Sequence, residues 1–299
     1  MPVPQAGIFA VGTPAHSYLE FDLRGDAEPL ALVEAVARLG APHTSMGGVN
    51  LVAGFRPELW DHVAPGQMPD DAASFDAPLR GAGGYEMPGT QHDAWLWIAG
   101  PSRDVVFDVG RDSANALLPV ARLADETTGW TYHASRDLTG FEDGTENPTL
   151  LDAPAVALVP DGEPGAASSV VLVQRWRHES DPWNALGQEG QELAMGRTKA
   201  DSIELDEEAM PVDAHVNRTS VEENGEELDI FRRNTPYGDL RDHGTYFVGF
   251  SRDQRRLALM LQNMAGVGDG IRDALTRYTT PQTGAYYAVP SVEAIARFA

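Results

Sequence analysis

One pattern of strands and helices runs twice along this chain, once on each side of a glycine-rich turn near residues 135–150, and this limits the folds open to it more than any other feature. Before the turn, Ser17 to Leu23, Met46 to Phe55 and Asp93 to Ala99 read as strands, with an amphipathic helix at Pro29 to Leu39. Val105 to Leu123 reads as a helix kinked at Pro119, and Gly129 to Ala134 as extended chain. After the turn, Ser169 to Trp176, Ile203 to Leu205, Thr245 to Phe250 and Ala285 to Val289 read as strands. Trp183 to Met195, Arg255 to Met264 and Asp269 to Tyr278 read as helices. Short links favour antiparallel neighbours, so the expectation is an α+β chain with halves at residues 1–137 and 138–299. The similarity is one of pattern, because no sequence repeat joins the halves. Ala64 to Thr90 and Asp161 to Ala167, rich in Gly, Pro, Asp and Ala, read as surface loops.

Composition removes several classes of function. The 299 residues include 45 acidic and 22 basic side chains, a formal charge of −23, which disfavours nucleic acid or an anionic membrane as partner. The absence of cysteine excludes disulfides, thiolate nucleophiles, zinc-thiolate sites and iron–sulfur clusters. Any metal must use His, carboxylate or Tyr. The opening Met1 to Gly7 has no basic region, twin arginine or long apolar run, and no later stretch approaches ~18 apolar residues. A cytoplasmic protein is therefore expected.

The turn itself, Leu138 to Pro148, holds Asp143 between Gly140 and Gly144, with Pro148 disfavouring helix through Asn147. Read alone it is an ordinary surface turn; the alternative is a way to aim a carboxylate. Downstream, His215 lies in Val212 to Arg218, and on its own is as well read as a structural histidine. In the extended segment Asp229 to Gly238, alternation sends Arg232 and Asn234 to one face and Arg233 to the other. Gly196-Arg197-Thr198-Lys199 fits either a helix C-terminal cap or an anion contact.

In their order along the chain these residues resemble the dye-decolourising peroxidases. Gly140-Phe141-Glu142-Asp143-Gly144 matches the GxxDG signature of that family, followed by His215 and by Arg232 to Asn234. Gln5 to Ile8, Gly196 to Lys199 and Thr283 to Ser291 extend the likeness over nearly the whole chain, and the compact length resembles the bacterial B-type subgroup. The resemblance implies two ferredoxin-like halves, each an antiparallel sheet packed with helices, and a haem b pocket mainly in the C-terminal half. It implies a peroxidase that reduces hydrogen peroxide through a ferryl intermediate and oxidises phenolic, dye-like or other small organic donors. By matching positions it implies His215 as iron ligand and Asp143, Arg232 and Asn234 as the catalytic group. Arg197, Gly144 and Thr145 become cofactor contacts, Arg197 through a propionate. The carboxylate that orients His215 is Asp273 by motif position, with Asp269 as the alternative, since spacing does not choose between them.

Elementary chemistry agrees. In a chain without cysteine, imidazole is the natural axial ligand for haem iron, and a carboxylate on its second nitrogen makes it more electron-donating. Peroxide cleavage needs a proton carrier and a fixed positive charge. An aspartate with an ordinary pKa near ~4 implies activity that peaks in acid. The rival readings are a haem-handling protein with incidental peroxidase activity and a haem-free binding protein. Homo-oligomers are common in the family. The short tail Val292 to Ala299 reads as a terminal helix, so packaging in a protein shell is not expected.

Overall fold

In the segment Ala94–Gly100, Trp95, Trp97 and Ala99 face one side and Ala94, Leu96 and Ile98 the other, and all six are buried. A strand apolar on both faces needs cover on both. The computed structural model, which describes residues 2–40, 48–69, 71–133, 135–223 and 225–299, supplies that cover with a barrel interior and an outer layer of helices. Ten strands form one sheet: β1 Ala15–Leu23, β2 Asn50–Phe55, β3 Ala94–Gly100, β4 Ala121–Trp130, β5 Ser169–His178, β6 Phe231–Arg232, β7 Thr235–Gly238, β8 His243–Ser251, β9 Thr279–Pro281 and β10 Ala285–Val289. Their spatial order is β6, β8, β7, β4, β1, β3, β2, β10, β5, β9, with antiparallel pairing throughout, and β5 pairs back onto β8 to close a barrel.

The ring is two copies of one arrangement. β4, β1, β3, β2 reads fourth, first, third, second in chain order, and so does β10, β5, β8, β7. This is the split βαβ order of a ferredoxin-like unit, and it supports the division after residue 137 that we propose. The two seams are thin, each a single residue pair: Phe55 with Ala288, and Gly129 with Tyr237. Side chains reinforce them. The Gln5 amide donates to Ala53 O and Pro290 O at 2.8 and 3.0 Å and accepts from Ala53 N at 2.7 Å. At the other seam, Gly129 lets β7 approach, since a Cβ there would lie 2.2 Å from Thr235 Oγ1.

Closure divides the apolar residues of the barrel strands into two cores, beside a third small cluster of Phe141, Trp183, Ala194, Met195 and Ala274. Tyr18, Trp95, Trp97, Val171, Val173, Tyr246, Val248, Phe250 and Tyr287 fill the barrel. Leu19, Phe55, Leu96, Val170, Leu172 and Tyr286 face outward under helices that include Pro29–Ala37, Arg103–Leu117 and Gln254–Ala265. Each such side chain contributes roughly 1.5–3 kcal/mol by burial.

Several boundaries differ from the sequence reading. The helix expected to reach Leu123 ends at Leu117, before Pro119, and Ala121–Trp130 is a strand. The helix expected over Trp183 to Met195 breaks in two, Ser180–Ala185 and Gly187–Met195, at Gly187 with φ +67°. Asp269 to Tyr278 holds only the short 3-10 turn Ala274–Arg277, since Gly268 and Gly270 both take positive φ. Ile203 to Leu205 forms a single bridge, Glu204 with Arg197. The loop Ala64 to Thr90 is not all surface, because Met68, Phe75 and Met87 are buried in the outer core. Met46 and Gly47 of the second predicted strand, and Ala134 of the expected extended segment, lie outside the described residues.

Candidate active site

Strand parity puts the chemistry outside the barrel. On β5, Val171 and Val173 point inward, while Gln174, Trp176 and His178 line a cavity on the outer face; Thr245 and Phe247 of β8 do the same. The cavity, about 1110 Å³ including the part open to solvent, lies against the C-terminal strands. Asp143, Gly144, Thr145, Arg197, His215, Arg232 and Asn234 all reach it, from segments nearly ninety residues apart.

The turn carrying Asp143 is fixed at both ends. Gly140 and Gly144 adopt φ +94° and +80°, the left-handed region that side-chain-bearing residues resist. Asn147 then acts as a piece of strand: its Nδ2 donates to Arg232 O at 2.8 Å and its Oδ1 accepts from Arg232 N at 2.9 Å. This pair of hydrogen bonds locks the turn against β6 and sets Arg232 beside Asp143. Asn234 ties the pair further. Its Oδ1 accepts from Val248 N at 2.9 Å, which aims its Nδ2 to donate to Asp143 Oδ1 at 3.1 Å.

Burial raises the Asp143 pKa above the ordinary carboxylate value, with Asp137 adding to the rise, while Arg232 and the Asn234 and Gly144 hydrogen bonds pull against it. For Asp137 the balance goes the other way. Burial disfavours its charge, but His178, the Thr245 hydroxyl and the Thr139 N–H together hold its pKa below the usual value. The alternation read from the sequence holds for the arginines. Arg232 faces the cavity, and its guanidinium makes no protein hydrogen bond among the described residues. Arg233 turns away, donates to Gly7 O, Ile8 O and Ala10 O, and lies 4.9 Å from the Trp97 ring centroid.

His215 opens the short helix His215–Thr219. Its Nδ1 meets Asp273 Oδ2 at 2.7 Å, and Asp273, fully buried, also accepts from Leu275 N at 2.8 Å. An N–H on Nδ1 leaves the lone pair on Nε2. Of the two aspartates left open by spacing, Asp273 makes this contact, from behind His215 and not on the cavity wall; Asp269 pairs with Arg218 at 2.8 Å. Arg197 is buried at the cavity edge, donating to Ser202 O at 2.8 Å and to Glu204 at 3.1 Å, with Glu146 as a further partner. A second hollow of about 950 Å³ shares Asp143, Gly144, Arg232 and Asn234, so this wall is reached from two sides.

Asn147, Asp137, Gln174, His178 and Thr245 were not singled out from the sequence. The every-second-residue pattern of 174, 176 and 178 was the available signal, once the inward face of β5 is known.

Comparison with known proteins decides the family. The Dyp-type peroxidase C-terminal domain matches residues 134–294. A dye-decolorizing peroxidase of Mycolicibacterium paratuberculosis is 33% identical over 98% of this chain and 85% of its own length. The chain belongs to the Dyp-type peroxidase family. It is therefore a peroxidase. Among solved structures similar to this Dyp-type peroxidase, a DypB variant from Rhodococcus jostii RHA1 in complex with heme superposes with TM-score 0.89 at 33% identity, covering 98% and 97% of the two chains. The dye-decolorizing protein from V. cholerae gives 0.87 at 33% identity over 98% and 99%. The likeness to DypB is consistent with the B-type subgroup. Among the described residues no helix is long and apolar enough to cross a membrane.

Proposed function

We propose that this Dyp-type peroxidase reduces hydrogen peroxide in the outer cavity with Asp143 as proton carrier and Arg232 as the fixed positive charge, and oxidises phenolic, dye-like or other small organic donors. The cofactor is haem b, and the residues fit it. Trp176, Phe247, Met260, Met264 and Leu275 give apolar walls for a flat macrocycle, and His215 offers a lone-pair nitrogen. Among the described residues no three His, Asp or Glu side chains gather as a chelate, so a metal here depends on a ligand that brings its own donors. Arg197 supplies a cation for a propionate at the cavity edge. When bound, haem supplies the redox chemistry of O–O cleavage.

The chain's own residues do the rest. Asp143 accepts a proton from one peroxide oxygen, directly or through water, and returns it to the oxygen that leaves. Arg232 stabilises the negative charge that develops on that oxygen, a role its permanent charge suits. Asn234 holds the Asp143 carboxylate, and Asn147 holds the Arg232 backbone, so neither group needs to reorganise. Asp273 keeps His215 in one tautomer and makes it more electron-donating. Because burial raises the Asp143 pKa, the acid limb of activity lies higher than an unperturbed aspartate gives.

The observation that carries this reading is the convergence of Asp143, Arg232 and Asn234 on the cavity His215 enters. A protein that only stored haem would need His215 and Arg197 but not this trio. The test is the rate of the first reaction with peroxide in wild type, Asp143→Ala and Arg232→Ala. Losses in either variant support the reading; wild-type rates in both favour haem handling.

A further inference from the structure

The barrel interior holds a carboxylate that packing does not call for. Glu20 on β1 is 3% exposed and points among Trp95, Tyr246 and Tyr287, where it accepts a 2.5 Å hydrogen bond from Tyr287 Oη. Removing a carboxylate from water costs several kcal/mol, and a Gln or Phe would fill the space without that cost. The pair also stands at the end of a continuous aromatic file. Tyr246 lies between Thr245 and Phe247, both on the cavity, so it occupies the opposite face of the same strand. From there the ring centroids step 4.0 Å to Tyr18, 6.1 Å to Trp97, 6.3 Å to Trp95 and 6.1 Å to Tyr287.

Two details favour charge movement along this file over packing alone. Trp97 Nε1 donates to His16 Nδ1 at 3.1 Å, and burial lowers the His16 pKa to about 4, so the ring is a neutral acceptor. The Arg233 guanidinium over the Trp97 face disfavours a resting positive charge there, which makes Trp97 a step and not a terminus. A terminus needs a group that loses a proton with its electron, and only Tyr287 in the file has a carboxylate on its hydroxyl.

We propose that Tyr287 and Glu20 form a buried proton-coupled redox site that donates an electron to the cavity centre when peroxide has oxidised it and no external donor is at hand. The Tyr287 O–H bond breaks and its proton bonds to Glu20. One electron passes through Trp95, Trp97, Tyr18 and Tyr246 to the peroxide-oxidised cofactor, which is reduced by one equivalent. A neutral tyrosyl radical beside a protonated Glu20 remains. The device holds the oxidising equivalent inside the barrel, and a later donor reverses it. It uses the peroxidase activity but none of the roles assigned to Asp143 or Arg232. Burial raises the Glu20 pKa to about 7, and the groups facing it are Tyr287, Tyr246, His92, Asp125 and Arg175, so the site accepts a proton more readily above neutrality.

The test is freeze-quench electron paramagnetic resonance of the haem-loaded enzyme after one equivalent of peroxide without donor, using protein grown on ring-deuterated tyrosine. The Soret change in the same samples confirms that peroxide has reacted, which separates failure here from failure of the peroxidase chemistry. Expected is a radical signal that narrows on deuteration, survives in Tyr286→Phe, and is lost in Tyr287→Phe and in Glu20→Gln. The double variant Glu20→Gln with Tyr287→Phe removes both partners together and guards against a fold lost through one unpaired group. A signal unchanged in the folded double variant, one that ignores deuteration, or no organic radical at all overturns the proposal.

Discussion

Arg232 and Arg233 are neighbours of identical chemistry, and the structure predicts opposite consequences for losing them. Arg233 donates three hydrogen bonds to the carbonyls of Gly7, Ile8 and Ala10 and stacks over Trp97. At roughly 1.5 kcal/mol net for each of the two short charge-assisted bonds, to Ile8 O and Ala10 O, and about 1 kcal/mol for the stacking, Arg233→Ala should cost on the order of 3–5 kcal/mol. At about 2 °C per kcal/mol for a chain of this size, Tm should fall by roughly 6–10 °C. Arg232 makes no such bonds from its guanidinium. Its backbone is held by Asn147, and this contact survives truncation of the side chain. Arg232→Ala should therefore leave Tm within a degree or two of wild type, since exposed or unpaired positions usually move stability by about 0.5 kcal/mol. It should slow the reaction with peroxide by about 10²–10³-fold, the usual loss when one preorganised charge-stabilising donor is removed. Thermal melts of both haem-loaded variants and stopped-flow mixing with peroxide measure the two quantities. A melt of Arg232→Ala as low as that of Arg233→Ala, or a wild-type peroxide rate in Arg232→Ala, would refute the reasoning.

Three further predictions concern the carboxylates on either side of the site. The Asp143 pKa is raised in the folded protein, so its charged form is the acceptor only above that value, and the peroxide reaction should fall as pH drops through it; Asp143→Asn should remove this limb in a stopped-flow pH profile. The same shift means that Asp143 favours the folded state only below its unfolded pKa near ~3.9 and loses that contribution as pH rises through the folded value, so Asp143→Asn should gain stability at neutral pH and lose the gain in acid, read from melts at each pH. Asp273→Asn should raise the reduction potential of the bound iron and weaken cofactor affinity or activity by about 10–100-fold, measured by redox titration and haem binding; an unchanged potential would remove Asp273 from the role.

What the sequence disclosed and what it withheld follow one physical division. Alternation exposed the long strands other than Ala121–Trp130, and it placed Arg232 and Asn234 on one face and Arg233 on the other, because each depends only on neighbours along the chain. Barrel closure was hidden, since Phe55 with Ala288 and Gly129 with Tyr237 are single pairs between distant segments. The break at Gly187 and the loss of helix around Gly268 and Gly270 turn on left-handed φ values, which a glycine permits but does not announce. At the site, the motif order found Asp143, His215, Arg232 and Asn234. It could not find Asn147, whose work is a pair of bonds to a backbone 85 positions away, and it favoured Asp273 over Asp269 only by motif position, where the 2.7 Å contact with His215 now stands.

The central claim is that His215 carries the haem iron of a peroxidase in this cavity, and one titration tests it most directly. Purified wild type and His215→Ala are titrated with haem while the Soret band is followed, and imidazole is then added to the variant. Wild type should bind stoichiometrically with a histidine-type spectrum, His215→Ala should lose that spectrum, and imidazole should restore it. A variant that binds haem with the wild-type spectrum before imidazole is added would contradict it.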